Sequence, residues 1–167
     1  MEEICHDTCE LSTLMDEYGN CVLNTAYLYV KDKQLAEDIF QEVFLKAYLK
    51  FNTFQARSSI KTWLIRITIN LCKDNLKSTY KKKVTVGLDD ITATSESAEK
   101  AAVEHIESER LYIAVMSLKQ NYREVILLRY YNQLTPEEIS TVLNIHGGTV
   151  RTRLFRATSC LKKILTD

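Results

Sequence analysis

Thr135-Pro136-Glu137-Glu138-Ile139-Ser140-Thr141-Val142-Leu143-Asn144-Ile145-His146-Gly147-Gly148-Thr149-Val150-Arg151-Thr152-Arg153-Leu154-Phe155-Arg156-Ala157, running on to Leu165, is the stretch whose reading decides the fold. Thr135 is placed to cap a helix, Pro136 suits its first position, and Glu138 can reach back to the Thr135 amide, so these residues spell a capping box. A short helix through Ile139, Val142 and Leu143 follows, then a turn over Asn144 to Gly148. A second helix is predicted from about Thr149 to Leu165, with Val150, Leu154, Ala157, Leu161 and Leu165 facing inward at three- and four-residue steps. A short helix, a tight turn and a second helix in about this span are what a helix-turn-helix requires. The outward face carries Arg151, Thr152, Phe155, Arg156 and Ser159. An outward phenylalanine between arginines is poorly explained by solvation alone, but suits a helix in a DNA major groove, where Phe meets a thymine methyl. A plain helical hairpin with a basic outer face is the bland alternative. Gly147-Gly148 is expected to loosen the start of the second helix by about 1 kcal/mol.

Upstream, no aromatic residue occurs between Tyr80 and Tyr112, and Val84 to Arg110 is rich in Ser, Thr, Ala, Asp and Glu. This reads as a linker, helical from about Ala98, that divides the chain into modules at 10–83 and 108–165 with 84–107 between them. Four glycines and one proline in 167 residues supply too little turn chemistry for a many-stranded sheet, so an all-α protein of two small helical domains is expected.

In the first module Leu35, Ile39, Phe40, Val43, Phe44, Ala47, Tyr48 and Phe51 form one apolar stripe. The opposite face holds Asp38, Gln41, Glu42, Leu45 and Leu49. It is either a solvated face with stray leucines or a docking surface for a basic protein partner. A further helix starts near Ser58 or Ser59, either of which can cap it, and runs to about Tyr80. Ile60, Leu64, Ile67 and Leu71, with Ile65, Ile69, Cys72 and Leu76 beside them, make its buried sector. Ser59, Trp63, Arg66, Asn70, Lys73 and Lys77 occupy the remaining arc. Trp63 either anchors the core from its edge or, with Phe51 and Phe54 in the preceding loop, offers a surface where unpaired bases stack while cations track phosphates.

The formal net charge is zero, from 22 Lys and Arg against 22 Asp and Glu, which excludes only a uniformly basic nucleic-acid binder. Residues 1–42 hold 2 basic and 10 acidic side chains, 43–83 hold 10 and 1, 84–110 hold 2 and 7, and 140–167 hold 5 and 1. Two basic blocks are thus separated by acidic ones. No apolar run approaches the roughly 20 residues that span a bilayer, and the acidic start is unlike a signal peptide, so a cytoplasmic protein without stable membrane insertion is expected. Five cysteines in a reducing compartment do not make a disulfide framework. Cys5, His6 and Cys9 resemble half of a metal site, but no second ligand cluster completes it. No glycine-rich phosphate loop or nucleophile–base pair is visible, so neither enzyme chemistry nor a cofactor is expected.

Ala36 to Tyr48, followed by Thr62-Trp63-Leu64-Ile65-Arg66-Ile67 and Asn70, resembles region 2 of bacterial sigma-70-family factors. Tyr122-Arg123-Glu124-Val125, Glu137-Glu138-Ile139 and Gly148 to Ala157 resemble region 4. With both blocks in order and a short linker between them, the chain resembles an extracytoplasmic-function (ECF) sigma factor. The resemblance implies a promoter-specificity subunit of RNA polymerase with no chemistry of its own, acting in a stress or envelope-signal response. It implies that Asp38, Gln41, Glu42 and Leu45 meet core RNA polymerase, and that Phe54, Ser59, Trp63, Arg66, Asn70 and Lys73 hold the melted −10 element. It further implies that Thr149, Arg151, Thr152, Phe155 and Arg156 read the duplex −35 element, with Arg129 on a phosphate, and that an anti-sigma protein is a partner. Lys119 stands where the family commonly has proline, Ser140 where it usually has alanine, and His146-Gly147 precede the Gly-Thr-Val motif. These departures bear on −35 affinity. The main alternative is a stand-alone helix-turn-helix regulator whose first module dimerises or senses a signal; it has no need of the Trp63 and Phe54 surface.

Overall fold

The computed structural model describes the backbone of residues 2–86 and 104–166 and the side chains of 11–78 and 109–166. The side chains of Cys5, His6 and Cys9, the expected helix start at Ala98 and most of the 84–107 stretch lie outside the described residues. Among the described residues all regular structure is helical. The chain divides into two compact units, one ending at Thr92 and the other beginning at Ala93.

The first unit packs α1 (Glu2–Val30), α2 (Lys33–Lys50) and α3 (Ile60–Val86). Lys31, at φ 61°, ends α1 in the left-handed conformation, and its N–H still reaches Tyr27 O at 2.8 Å. Asp32 then caps α2 by accepting the Leu35 N–H at 2.9 Å. Two residues are thereby enough to reverse the chain. The core between the three helices takes Val22 and Ala26 from α1, Ile39, Val43 and Ala47 from α2, and Leu64, Ile65 and Ile69 from α3, all buried. Each large aliphatic side chain buried here contributes about 1.5–3 kcal/mol. Thr68 is buried among them without an orphaned hydroxyl, because it donates to Leu64 O at 2.8 Å.

Two expectations in this unit are corrected. Tyr48, placed by spacing in the apolar stripe of α2, is 39% exposed, since it lies at the margin of the apolar arc, about 100° around the helix from the fully buried Ala47. Helix α3 continues to Val86, past the expected end at Tyr80. Its start matches expectation: Ser59 accepts the Thr62 N–H at 3.1 Å and shares a 2.9 Å hydroxyl contact with Thr62.

In the second unit α4 (Glu104–Ser117) leads into α5 (Gln120–Ile126), whose end widens into a π-helical turn over Leu127–Tyr131. The Asn132 N–H closes that turn on Leu127 O at 2.9 Å. Next come α6 (Pro136–Leu143) and α7 (Gly147–Thr166). The capping box of α6 is complete: Glu138 N donates to Thr135 Oγ1 at 3.2 Å, and Thr135 N donates to the Glu138 carboxylate at 2.9 Å. Asn144, at φ 53°, terminates α6, and the Ser140 hydroxyl crosses the turn to Ile145 O at 2.6 Å. Helix α7 begins at Gly147, two residues before the expected Thr149, because His146 caps it: Nδ1 accepts the Gly148 N–H at 3.1 Å. Val150 and Ala157 are buried as expected, Leu154 and Leu161 are half-buried, and Leu165 is exposed, because α7 outruns its supporting helices.

A partly buried ion pair ties α5 to α7. Arg153 donates to Glu124 at 3.0 Å, with the Glu124 side chain only 7% exposed. Removing one member leaves the other charge poorly solvated. Glu124→Ala is expected to destabilise the second unit by about 2–4 kcal/mol, below the full cost of a completely buried pair because Arg153 keeps some water. Glu124→Gln, which keeps an acceptor, is expected to cost less. Hydrogen exchange in α5 and α7 of the full chain, with denaturant melts, measures both.

Burial pushes the Cys72 thiol up to about 12 from a usual value near 9. A thiol raised on folding adds stability that is intact below pH 9 and is lost as pH climbs through about 12. The stability of wild type relative to Cys72→Ala is therefore expected to be flat below pH 9 and to fall above it. At neutral pH Cys72 is expected to resist alkylation until the chain unfolds, which mass spectrometry of labelled peptides checks.

Candidate functional site

Three outward surfaces stand apart from ordinary solvated faces. The first is on α2, where Asp38, Gln41, Glu42, Leu45 and Leu49 follow one another along one side. Leu45 is 58% exposed and Leu49 69%. Glu42 holds Lys46 in an i,i+4 pair at 2.9 Å with both side chains partly solvated, an arrangement that contributes only a few tenths of a kcal/mol and separates readily. An acidic, leucine-bearing ridge in this form can exchange water for a basic partner at low cost.

The second surface lies where the loop after α2 meets α3. The 3-10 turn Phe51–Thr53 and the loop that follows bring Phe51 and Phe54 onto Trp63. The Phe54 and Trp63 ring centroids are 5.1 Å apart, and Phe51 approaches Trp63 at 6.5 Å nearly edge-on. The indole is half-buried, so it serves in part as packing and in part as surface. Along the same arc Arg66 and Asn70 are exposed and Lys73 is half-buried. The Ser59 hydroxyl is engaged in capping α3, which leaves the aromatics and the cations as the reactive part of this surface. An aromatic plane with cations about one and three turns further along, and an amide between them, can hold an unstacked base and its phosphates.

The third surface is α7. Phe155 is 73% exposed, with Arg151, Thr152 and Arg156 also exposed around it. The hydroxyls between them turn back on the backbone: Thr152 donates to Gly148 O and Ser159 to Phe155 O, each at 2.9 Å. Arg151, Phe155 and Arg156 are therefore the groups that project. Arg151 leans on Glu137 of α6 at 3.2 Å, with both side chains about two-thirds exposed; such a pair contributes little and yields to a stronger partner. Thr149 is exposed in the first turn of α7. Arg129 is exposed and donates to Leu134 O at 3.0 Å, bracing the loop ahead of α6.

Two residues carry roles that sequence spacing did not separate. Arg153 sits amid Arg151 and Arg156 in sequence but faces Glu124, and only the 29-residue separation between them hid this. His146, read as a turn residue, caps α7; histidine is not among the favoured cap residues, so no local signal announced it. Among the described residues no group of three or more His, Cys, Asp or Glu side chains is placed to hold a metal ion, and no helix is long and apolar enough to cross a membrane.

Residues 14–82 match the family model for sigma-70 region 2, and residues 108–161 match that for sigma-70 region 4. The ECF RNA polymerase sigma factor SigW of Bacillus subtilis is 31% identical over 171 residues, covering 96% of this chain and 91% of that protein. SigM of the same organism is 32% identical over 155 residues, covering 90% and 94%. Among solved structures, the sigma factor RpoE in its complex with the anti-sigma factor NepR from Bartonella quintana has the same fold, with a TM-score of 0.80 at 20% identity, covering 94% of this chain and 97% of that one. The chain belongs to the sigma-70 family and to its ECF group: it is a sigma factor, a protein that directs RNA polymerase to promoters to initiate transcription.

Proposed function

We propose that the two units divide the work of promoter recognition by the three surfaces above. In residues 10–83 the α2 ridge of Asp38, Gln41, Glu42 and Leu45 docks on core RNA polymerase. The Phe54 and Trp63 pair, with Ser59 at the helix start and Arg66, Asn70 and Lys73 beyond it, holds the separated −10 strand. Residues 84–107 link this unit to 108–165, where Thr149, Arg151, Thr152, Phe155 and Arg156 read the −35 duplex and Arg129 meets a phosphate. The observation that carries this reading is the exposure of Phe155 between two projecting arginines, because an apolar ring on a basic helix gains nothing in water and gains a thymine methyl in the major groove. The relatives named ECF sigma factors and the neighbour bound to NepR support a further part of the reading, that this chain answers an envelope or stress signal and is held by an anti-sigma protein.

The direct test is run-off transcription with purified core polymerase, followed by mapping of the start sites. Arg151→Ala and Arg156→Ala are each expected to weaken discrimination between a mapped promoter and its scrambled −35 variant by about 1–3 kcal/mol. Unchanged discrimination removes the −35 assignment. Asp38→Arg combined with Glu42→Arg is expected to abolish co-elution with core polymerase on a sizing column, and normal assembly removes the docking assignment. Trp63 is the sole tryptophan of this chain, so the difference in emission between wild-type and Trp63→Phe holoenzyme isolates its signal: a single-stranded −10 oligonucleotide is expected to quench that difference. Trp63→Ala is expected to cost about 1–3 kcal/mol of that binding.

A further inference from the structure

We infer that a cavity beside the recognition helix seats one phosphodiester of the duplex backbone, gripped by Asn121, Tyr122 and His146, and so fixes the register at which Arg151, Phe155 and Arg156 meet the bases. This rests on the −35 reading of α7 given above and extends it to residues of a neighbouring helix that the sequence left without a role.

The cavity has a volume of about 420 Å3. Asn121 and Tyr122 from the first turn of α5 form one wall, His146 the end, and Thr149, Thr152 and Arg156 the α7 side. Arg153 also borders it, but its guanidinium is engaged with Glu124. No carboxylate is among the lining side chains. Apart from the two arginines, they offer an amide N–H, a phenolic O–H and an imidazole N–H, so a phosphodiester oxygen, which only accepts, meets several donors and no opposing charge.

His146 is set for this task by its capping bond. Because Nδ1 accepts the Gly148 N–H at 3.1 Å, the neutral ring carries its hydrogen on Nε2, leaving that N–H as the ring's donor. The cap also occupies the Gly148 amide, so the site works through side chains and not through an open helix end. Its position favours backbone over bases. Arg151 and Phe155 lie outside the lining, and Asn121 and Tyr122 bring α5 to the edge of the α7 face, where a helix in the major groove is flanked by a wall of phosphates. A phosphate held there adds no sequence information but limits how α7 slides and tilts, and base contacts need that limit to be selective.

The test uses the full chain assembled with core polymerase and promoter or scrambled −35 duplexes, with affinity measured across a salt series. Asn121→Asp places one negative charge at the exposed rim of the cavity. It is expected to weaken both duplexes by the same factor, several-fold, and to reduce the slope of log affinity against log salt by about one. Tyr122→Phe, which only removes the hydroxyl, is expected to cause a smaller loss, again equal for both duplexes. Neutral methylphosphonates, introduced one position at a time, are expected to reveal a single phosphate whose neutralisation weakens wild type but no longer weakens Asn121→Asp. Wild-type affinity in Asn121→Asp, a loss confined to the promoter sequence, or no such convergent position overturns the inference. Displacement of the duplex by inorganic phosphate at matched ionic strength, with a shift of the His146 ring signals in the DNA-free chain, identifies a free-anion site instead and also overturns it. If wild type itself fails to distinguish the two duplexes, the −35 reading falls and this inference with it.

Discussion

Neither unit is large enough to bury a functional group in its core. A helical unit of this size has one thin apolar interior, and nearly every inward position must be aliphatic for the unit to fold at all. The buried positions bear this out: Val22, Ile39, Val43, Leu64, Ile65 and Ile69 fill the first unit, and Val125, Leu128, Ile139 and Val150 the second. Several of the polar groups that do go inside bring partners with them, as Thr68 does with Leu64 O and Glu124 does with Arg153. Everything available for partner binding is thereby displaced to outward faces. Function shows there as departures from what water alone would select, in Leu45, Leu49 and Phe155.

The same constraint places a heavy demand on the turn between α6 and α7. Two glycines at the start of a helix cost conformational entropy and tend to fray it. The structure opposes that tendency with the left-handed Asn144 and two local bonds: the Ser140 hydroxyl on Ile145 O, and His146 Nδ1 on the Gly148 N–H. Ser140 and His146 are both departures from the usual family pattern, and both put a side chain into the same turn. An alanine at 140 could not make the first bond. The substitutions thus offset the loosening that Gly147-Gly148 would otherwise introduce, and α7 starts two residues earlier as a result.

The helices were legible in the sequence because their apolar residues recur at three- and four-residue steps, and because Thr135, Pro136 and Glu138 carry a start signal with a defined geometry. Spacing misplaces residues where a helix outlives its support or at the margin of its apolar arc. Leu165 continues the correct stripe but lies near the end of α7, where no neighbour remains to cover it, and Tyr48 sits at the margin of the α2 stripe beside the buried Ala47. Pairings between elements were legible only in part. Phe51 and Phe54 were grouped with Trp63 from the sequence, and the path of the intervening loop brings them together, whereas Glu124 and Arg153 look like members of separate charged clusters until α5 and α7 are packed together. The outward faces of α2, α3 and α7 were legible as patterns. Which of their polar groups are already engaged was not, since Ser59, Thr152 and Ser159 direct their hydroxyls to local partners that sequence spacing does not weigh.

Engagement also decides how the charges function. Lys46 with Glu42, and Arg151 with Glu137, are exposed pairs whose dissociation costs at most about 1 kcal/mol. They keep opposite charges in balance in the free protein without committing either to the fold. Arg153 with Glu124 differs in kind, because separating it exposes a poorly hydrated carboxylate within the packed unit. A partner that attracts Arg151 therefore competes only with Glu137, whereas one that attracts Arg153 competes with the stability of the unit. This gradient separates arginines that sequence alone treats as equals: Arg151 and Arg156 are free to exchange partners, and Arg153 holds the helix that presents them. The zero net charge of the chain conceals that division, for it sums charges that can leave their partners together with charges that cannot.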